Sequence, residues 1–248
     1  MRRIISFVLC FCFVMGLASC GEVSSVIETE KIIAVKYGSA NELACEEYKE
    51  YTKVTYNSAS DVVLAVENKK VDCGILDDFE LNSYINAGRE IKQKEKCQYS
   101  LDYCAYFALE DDALQELFND AIEKLKEKGV INKIKTTHLK GASYMVSQSN
   151  NKNGTLTMLC DPSFANRVYT DKNGNVVGLD VDIAREICNT LGYDLEIVTA
   201  NSDELFTRLQ DGEGDFVISA SEVNEERAEY YLLSDTYFTL DYFFIERK

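Results

Sequence analysis

Short continuous apolar runs alternate with segments whose apolar residues recur every three or four positions, and the two patterns take turns along most of the chain. The run Lys31 to Tyr37 predicts a buried strand, Gly38-Ser39 a turn and helix cap, and Ala40 to Glu50 a helix. Lys53 to Tyr56 predicts a strand, Ser60 to Lys69 a helix with Val62, Val63 and Val66 on one face, and Val71 to Leu76 a second buried strand. Asp77-Asp78 ends that strand and caps the helix Phe79 to Ala87. Strands alternating with helices at this spacing predict a mostly parallel sheet with both faces covered.

The rhythm then changes. Gln98 to Leu109 is a longer extended segment, a candidate crossover. From Asp111 a helix follows, with Leu114, Leu117, Phe118, Ala121, Ile122 and Leu125 on one stripe; Gly129 ends it, and Val130 to Leu139 forms another. Gly141 to Asn153, rich in Ser and Asn and without periodicity, is the most linker-like stretch. Strands and helices resume after it. Thr155 to Cys160 predicts a strand, and Arg167 to Val177 a hairpin turning at Lys172-Asn173-Gly174. Asp180 caps a helix from Val181 to Leu191, Tyr193 to Val198 is a strand, Asp203 to Gln210 a helix, Asp215 to Ser219 a strand, and Leu240 to Ile245 a final extended run. Val71 to Leu76 parallels Gly214 to Ser219, each preceded by a strand and a helix, which suggests two lobes of similar build facing each other across a cleft. In such sheets ligands sit outside the carboxyl ends of the strands.

The first nineteen residues change the picture of the mature chain. Arg2 and Arg3 precede an apolar run from Ile4 to Ala18, too short to span a bilayer and typical of a secretory signal. Leu17-Ala18-Ser19-Cys20-Gly21 resembles the lipobox of bacterial lipoproteins, which implies a diacylated Cys20 and an extracytoplasmic protein held at the membrane by lipid. The formal charge of −16 becomes about −18 once Arg2 and Arg3 are removed, a surface that repels nucleic acid and anionic headgroups. Of nine cysteines, Cys45, Cys73, Cys97, Cys104, Cys160 and Cys188 lie beyond Cys20, with no C-x-x-C spacing and no histidine cluster, so no metal site is implied. Cys73, Cys160 and Cys188 read as core residues, and Cys97 with Cys104 as a candidate disulfide. The one histidine, His138, reads as a solvated helix end.

Candidate chemistry concentrates in Asp215 to Arg227. A buried strand runs into the small residues Ser219, Ala220 and Ser221, then into a short acidic helix that delivers Arg227. Backbone N–H groups at a helix start favour an anion, and a guanidinium fork matches two carboxylate oxygens. An ion pair of Arg227 with Glu222, Glu225 or Glu226 is the other reading of the same residues.

Residues 154 to 245 resemble the first lobe of the extracellular solute-binding proteins, family 3, through T-L-T-M-L-C-D-P-S-F-A, N-G-N-V-V-G-L-D-V-D-I-A-R-E-I, G-D-F-V-I-S-A, E-E-R and S-D-T-Y-F. Residues 31 to 85 resemble the second lobe, through I-A-V-K-Y-G-S-A-N-E and V-D-C-G-I-L-D-D-F, and residues 107 to 141 the C-terminal helices. The resemblance implies a two-lobed α/β fold of the type II periplasmic-binding-protein kind. Its order, second lobe first, implies a circular permutation, with the ends near Thr29 and Lys248 meeting at the hinge. It implies that Arg227 takes a ligand α-carboxylate, helped by N–H groups at Ser39-Ala40 and by the Ser219-Ala220-Glu222 loop. Asp77 would take the α-ammonium, Phe164 would cover the ligand side chain, and Asp161 would reach a polar group on it. Glu222 stands where the family usually has Thr or Ser, which adds a negative charge beside the anion or suits a cationic ligand. Ser202 stands where a second apolar residue commonly completes the sandwich around that side chain.

The expected organisation is a signal peptide over 1–19, a tether over 20–28, a second-lobe domain over 29–103, and a first-lobe domain over 104–248 that includes helices 111–139 and linker 141–153. The expected function is that of a monomeric receptor, not an enzyme and without cofactor, that passes a polar amino acid to an ABC permease. A sensor signalling to a membrane partner, or an enzyme on the same scaffold, is the alternative.

Overall fold

The computed structural model describes residues 30–146 and 152–248, so the signal segment, Cys20, the tether and residues 147–151 of the linker lie outside the described residues. The apolar runs form strands and the periodic segments helices. In chain order these are β1 (Lys31–Lys36), α1 (Ala40–Cys45), β2 (Tyr51–Tyr56), α2 (Ala59–Glu67), β3 (Cys73–Asp77), α3 (Asp78–Asn86), β4 (Ile91–Tyr103) and β5 (Tyr106–Phe107). Then come α4 (Asp112–Glu127), α5 (Val130–Leu139), β6 (Thr155–Cys160), β7 (Ser163–Phe164), β8 (Val168–Thr170), β9 (Val176–Val177), α6 (Leu179–Leu191), β10 (Asp194–Thr199), α7 (Leu205–Gln210), β11 (Phe216–Val217), β12 (Leu232–Leu233) and β13 (Phe238–Arg247).

Two five-stranded sheets share one plan. Lobe A has the order β2-β1-β3-β13-β4, and lobe B the order β10-β6-β11-β5-β12. In each, the first three strands are parallel, the fourth is antiparallel to the third, and the fifth is antiparallel to the fourth. The fourth strand of each sheet comes from a chain that has just left the other lobe: β5 follows β4, and β13 follows β12. This exchange moves the lobe boundary. Residues 238–247 belong to lobe A rather than to the 104–248 unit the sequence suggested, because β13 is hydrogen-bonded between β3 and β4.

The crossover expected over Gln98 to Leu109 lies between β4 and β5, and a second one lies between β12 and β13. The two crossings are zipped together: Ala105 N–H donates to Ser234 Oγ (2.9 Å), Ser234 N–H to the Ala105 carbonyl (2.9 Å) and Tyr237 N–H to the Tyr103 carbonyl (3.0 Å). One apolar core runs through this hinge, from Ile33, Val35 and Ile75 of lobe A through Tyr103, Phe107 and Phe238 to Met158, Ile183 and Phe216 of lobe B. Strand alternation sends Ala34 and Leu76 to the other face of sheet A, where Val62, Val66 and Ile245 cover them. From α5, Lys135 reaches across to lobe A, 2.5 Å from Asp78 Oδ2 and 3.6 Å from Asp241 Oδ2.

Several expectations change in detail. Leu117 is 44% exposed, off the buried stripe of Phe118, Ala121, Ile122 and Leu125. His138 is not solvated: its Nε2 lies 2.8 Å from Asp182 Oδ2, and both side chains are about nine-tenths buried. Cys97 and Cys104 are buried free thiols, the first within β4 and the second in the connection between β4 and β5. The helix after Ser39 stops at Cys45 because β2 begins at Tyr51.

The two ends of the described chain lie on either side of β3, since β1 pairs Ile33 with Cys73 and β13 pairs Ile245 with Gly74. Strands two places apart in a sheet are about 10 Å apart. The ends are therefore close, but at the edge of lobe A opposite Asp77, not at the hinge as expected. Asn153, past the linker, donates to the Leu191 carbonyl, and Tyr144, before it, to Glu186, so the described parts of the linker run over lobe B.

Candidate functional site

The carboxyl ends of β3, β6 and β11 face a cleft of about 560 Å³ between the lobes. Asp77, Phe79, Glu80 and Tyr84 line it from lobe A, Phe164, Asn166, Arg167, Ala220 and Glu222 from lobe B, and Tyr103 and Leu240 from the hinge strands. Glu222 also borders a neighbouring hollow of about 490 Å³ that contains Ser39, Ala40, Glu42 and Tyr99.

Asp77 ends β3 and caps α3. Its Oδ1 accepts from Phe79 N–H and Glu80 N–H (both 2.8 Å), and the Glu80 side chain returns to the Asp77 N–H, completing a capping box. Asn41 fixes Glu80 from α1 by donating to Oε2 (2.8 Å). Burial, and after it the Glu80 carboxylate, pushes the Asp77 carboxyl up to about 7 against the two cap hydrogen bonds. The folded chain thus holds this proton at pH values where the unfolded chain has released it. The associated stability is full below about pH 4 and is lost as pH rises through 7. Asparagine caps helices as well as aspartate, so Asp77→Asn is expected to gain on the unsubstituted protein as pH rises, by more at pH 8 than at pH 5. Urea midpoints of both proteins at both pH values measure this, and a constant difference between them would refute it.

On lobe B the structure separates residues that the sequence grouped. Phe164 lines the cleft with 37% of its surface exposed, and Ala220 and Glu222 line it too. Ser219 is buried beneath the loop, its Oγ accepting from Asp161 N–H (2.8 Å). Asp161 faces a different depression, with Pro162, Asn201 and Arg208, and its Oδ2 accepts from both the amide and the hydroxyl of Ser202 (3.0 and 2.5 Å). Arg227 opens a 3₁₀ turn, Arg227–Glu229, and is exposed. Its guanidinium carbon lies 4.5 Å from the Phe206 ring centroid, outside the cleft lining.

Two residues with other sequence roles organise the site. Asp180 lies inside α6, whose cap position is Gly178, and is fully buried. It does not cap the helix. Its Oδ1 accepts from Arg167 Nε (3.0 Å) and Nη2 (2.8 Å), and its Oδ2 from Ala220 N–H (2.7 Å). The Asp180 bond holds Ala220 in a left-handed conformation, φ +49°, at the cleft wall. Arg167 follows a tight turn through Phe164 and Asn166, packs with its guanidinium carbon 3.9 Å from the Tyr103 ring centroid and 4.5 Å from that of Phe238, and reaches the cleft with a side chain 8% exposed. In the sequence it is only the first residue of a hairpin.

The cleft therefore presents three carboxylates, an aromatic face and one guanidinium that is already paired. Residues 156–248 match the family model described as bacterial extracellular solute-binding proteins, family 3. The arginine-binding extracellular protein ArtP of Bacillus subtilis is 27% identical over 103 residues, 41% of this chain and 40% of that protein. The arginine-binding periplasmic protein of Mannheimia haemolytica is 30% identical over 91 residues, 37% of this chain and 38% of that protein. A membrane-bound lytic murein transglycosylase F of Desulfosudis oleivorans is 32% identical over 89 residues, 36% of this chain but 19% of the enzyme. Among solved structures, the arginine-bound form of domain 1 from TmArgBP is 35% identical with a TM-score of 0.34, covering 38% of this chain and 81% of that one. The matches span about two fifths or less of the curated relatives' length. Over residues 156–248 the chain belongs to the bacterial extracellular solute-binding proteins, family 3.

Proposed function

We propose that the protein is an extracytoplasmic receptor that closes its two lobes on a cationic amino acid and hands it to an ABC permease. The observation that carries this reading is the charge of the cleft: Asp77, Glu80 and Glu222 face it, and the single cation, Arg167, is balanced by Asp180. An amino acid with a positive side chain brings one anionic and two cationic groups, which such a lining complements. Asp77 takes an ammonium from lobe A, Phe164 covers the aliphatic stem from lobe B, and Glu222 receives the side-chain charge. Only a ligand touching both lobes favours closure. The arginine-binding proteins among the relatives support the same class of ligand.

The same reading includes export on the signal segment 1–19, lipid attachment at Cys20, a tether over 20–28 and a monomeric receptor with no enzymatic step. It also includes a circularly permuted order of lobes, supported by a family match that begins at residue 156, after four of the five strands of lobe A and after α4 and α5.

Calorimetry and thermal shift with the common L-amino acids at pH 8 test the reading. L-arginine or L-lysine is expected to bind with a Kd near micromolar, roughly −8 kcal/mol, and L-glutamate is expected to give no response. Asp77→Asn, which keeps the helix cap, should weaken binding about a hundredfold through loss of the charge. A flat response to every amino acid would overturn the proposal.

A further inference from the structure

We propose that Lys135 is a latch between the lobes, an ion pair on the face of the hinge turned away from the cleft, which holds the empty cleft open and is broken when the lobes close on a ligand. Its effect on affinity rests on the receptor reading above; its effect on the ligand-free shape does not.

Three observations carry it. First, Lys135 ties one lobe to the other. It stands on α5, which is fixed to lobe B by His138, three residues later, whose Nε2 lies 2.8 Å from the buried Asp182, and by the hydrogen bond from Tyr144 to Glu186 just beyond the helix (3.0 Å). From there its Nζ lies 2.5 Å from Asp78 Oδ2 and 3.6 Å from Asp241 Oδ2 of lobe A, and donates to the Thr239 carbonyl (3.0 Å). Among the described residues, the ion pairs that cross between the lobes are those of Lys135.

Second, the bridge is sheltered from water. The side chain of Asp78 is 6% exposed and those of Lys135 and Asp241 about one fifth, and the ammonium stands 5.0 Å from the Phe238 ring centroid. Charges held in this way are screened less than exposed pairs, so moving them apart has a real energetic effect.

Third, the bridge and the cleft lie on opposite faces of a hinge strand. Successive side chains of a strand point to opposite faces. On β13, Leu240 lines the cleft, whereas its neighbours Thr239 and Asp241 line a separate hollow of about 230 Å³ together with Asn132 and Lys135. Rigid lobes that turn about such a strand narrow one face and widen the other. Closing the cleft therefore draws Asp78 and the start of α3 away from Lys135. Asp77, which faces the cleft, directly precedes Asp78, so ligand and latch act on the same short segment from opposite sides. When the closed state of an empty receptor is thinly populated, the apparent affinity falls by that fraction. The latch thus lowers affinity while keeping the empty receptor open to its ligand.

Two variants of the full chain test it. Lys135→Met keeps an apolar stem beside Phe238 and removes the ammonium. Lys135→Met with Asp78→Asn also removes the carboxylate that would otherwise be stranded, while Asp241 keeps Lys96 as a partner (2.7 Å). Small-angle X-ray scattering of the ligand-free proteins is expected to give a smaller radius of gyration for both variants than for the unsubstituted protein. Calorimetry with L-arginine is expected to give a Kd lower by about tenfold. Lys135→Arg, which retains the cation, should restore both values. Urea midpoints identify a merely structural role, because lost stability by itself does not tighten binding. A radius of gyration that is unchanged or larger in the folded variants, or an affinity for L-arginine that is unchanged or weaker, overturns the latch. If the unsubstituted protein binds no amino acid, the receptor reading falls and the scattering result alone decides the latch.

Discussion

Replacing Asp180 with alanine is expected to lower the stability of the folded protein by about 3–5 kcal/mol, the usual cost of removing one partner of a buried ion pair. Asp180 has no exposed surface, and its two oxygens serve three donors: Nε and Nη2 of Arg167 and the amide of Ala220. The substitution leaves a guanidinium with an 8% exposed side chain uncompensated and a backbone N–H without its acceptor. Water cannot easily replace the lost oxygens, because Tyr103, Phe238 and the buried Tyr237 surround the pair. Urea unfolding measures the effect. The companion Arg167→Met, Asp180→Leu should recover much of the loss, since an apolar pair of similar volume is often as stable as the ion pair it replaces. A cost below about 1 kcal/mol for Asp180→Ala would mean that the pair is hydrated and not the brace described above.

Gly178→Ala is expected to be at least as damaging, above about 4 kcal/mol. A Cβ built at this position would lie 2.1 Å from the Arg167 carbonyl oxygen, 2.6 Å from its carbon and 3.1 Å from Val168 N. All three atoms are backbone, so no side-chain rotation relieves the overlap. The φ of +136° is strained for any residue with a Cβ. Relief requires the β8 strand to move away from the start of α6, and that movement carries Arg167 off Asp180 and out of the cleft wall. Gly129→Ala provides the contrast: its φ is +69° but nothing lies within 4 Å of the added carbon, so only the left-handed penalty of about 1–2 kcal/mol applies. Folded yields and urea midpoints of the two variants should therefore separate clearly. Equal losses would show that strain, not backbone overlap, governs both sites.

Much of the architecture was legible because burial on both faces of a parallel strand leaves an unmistakable apolar run. β1, β3 and β6 were recognisable for that reason, and Asp77 as a cap because an aspartate followed three places on by a glutamate can close a capping box. The start of β4 was hidden because it is an edge strand whose Lys92, Lys94, Glu95 and Lys96 are exposed, a pattern that discourages pairing with other chains and does not look like a strand. The destination of β13 was hidden for a different reason: its apolar pattern announces a strand but carries no information about which sheet it enters. Asp180 was read as a cap from its place before an apolar helix. Its partner lies thirteen residues earlier on a hairpin, and only the close approach at Gly178 brings the two together. Arg227 shows the converse, a residue prominent in the sequence whose guanidinium found an aromatic ring nearer than the cleft.

The exchange of strands between the sheets sets a timetable for synthesis. Among the described residues β4 is held in its sheet by β13 and by no other strand, and β13 leaves the ribosome more than a hundred residues after β4. Until then lobe A has three paired strands and a charged ribbon with nothing to bind, while lobe B can already assemble around β5. The nascent chain is thus expected to complete its second-made lobe first and to close the first-made one only once β13 has emerged, a long-range pairing of the kind that slows folding and leaves edges open to misassembly.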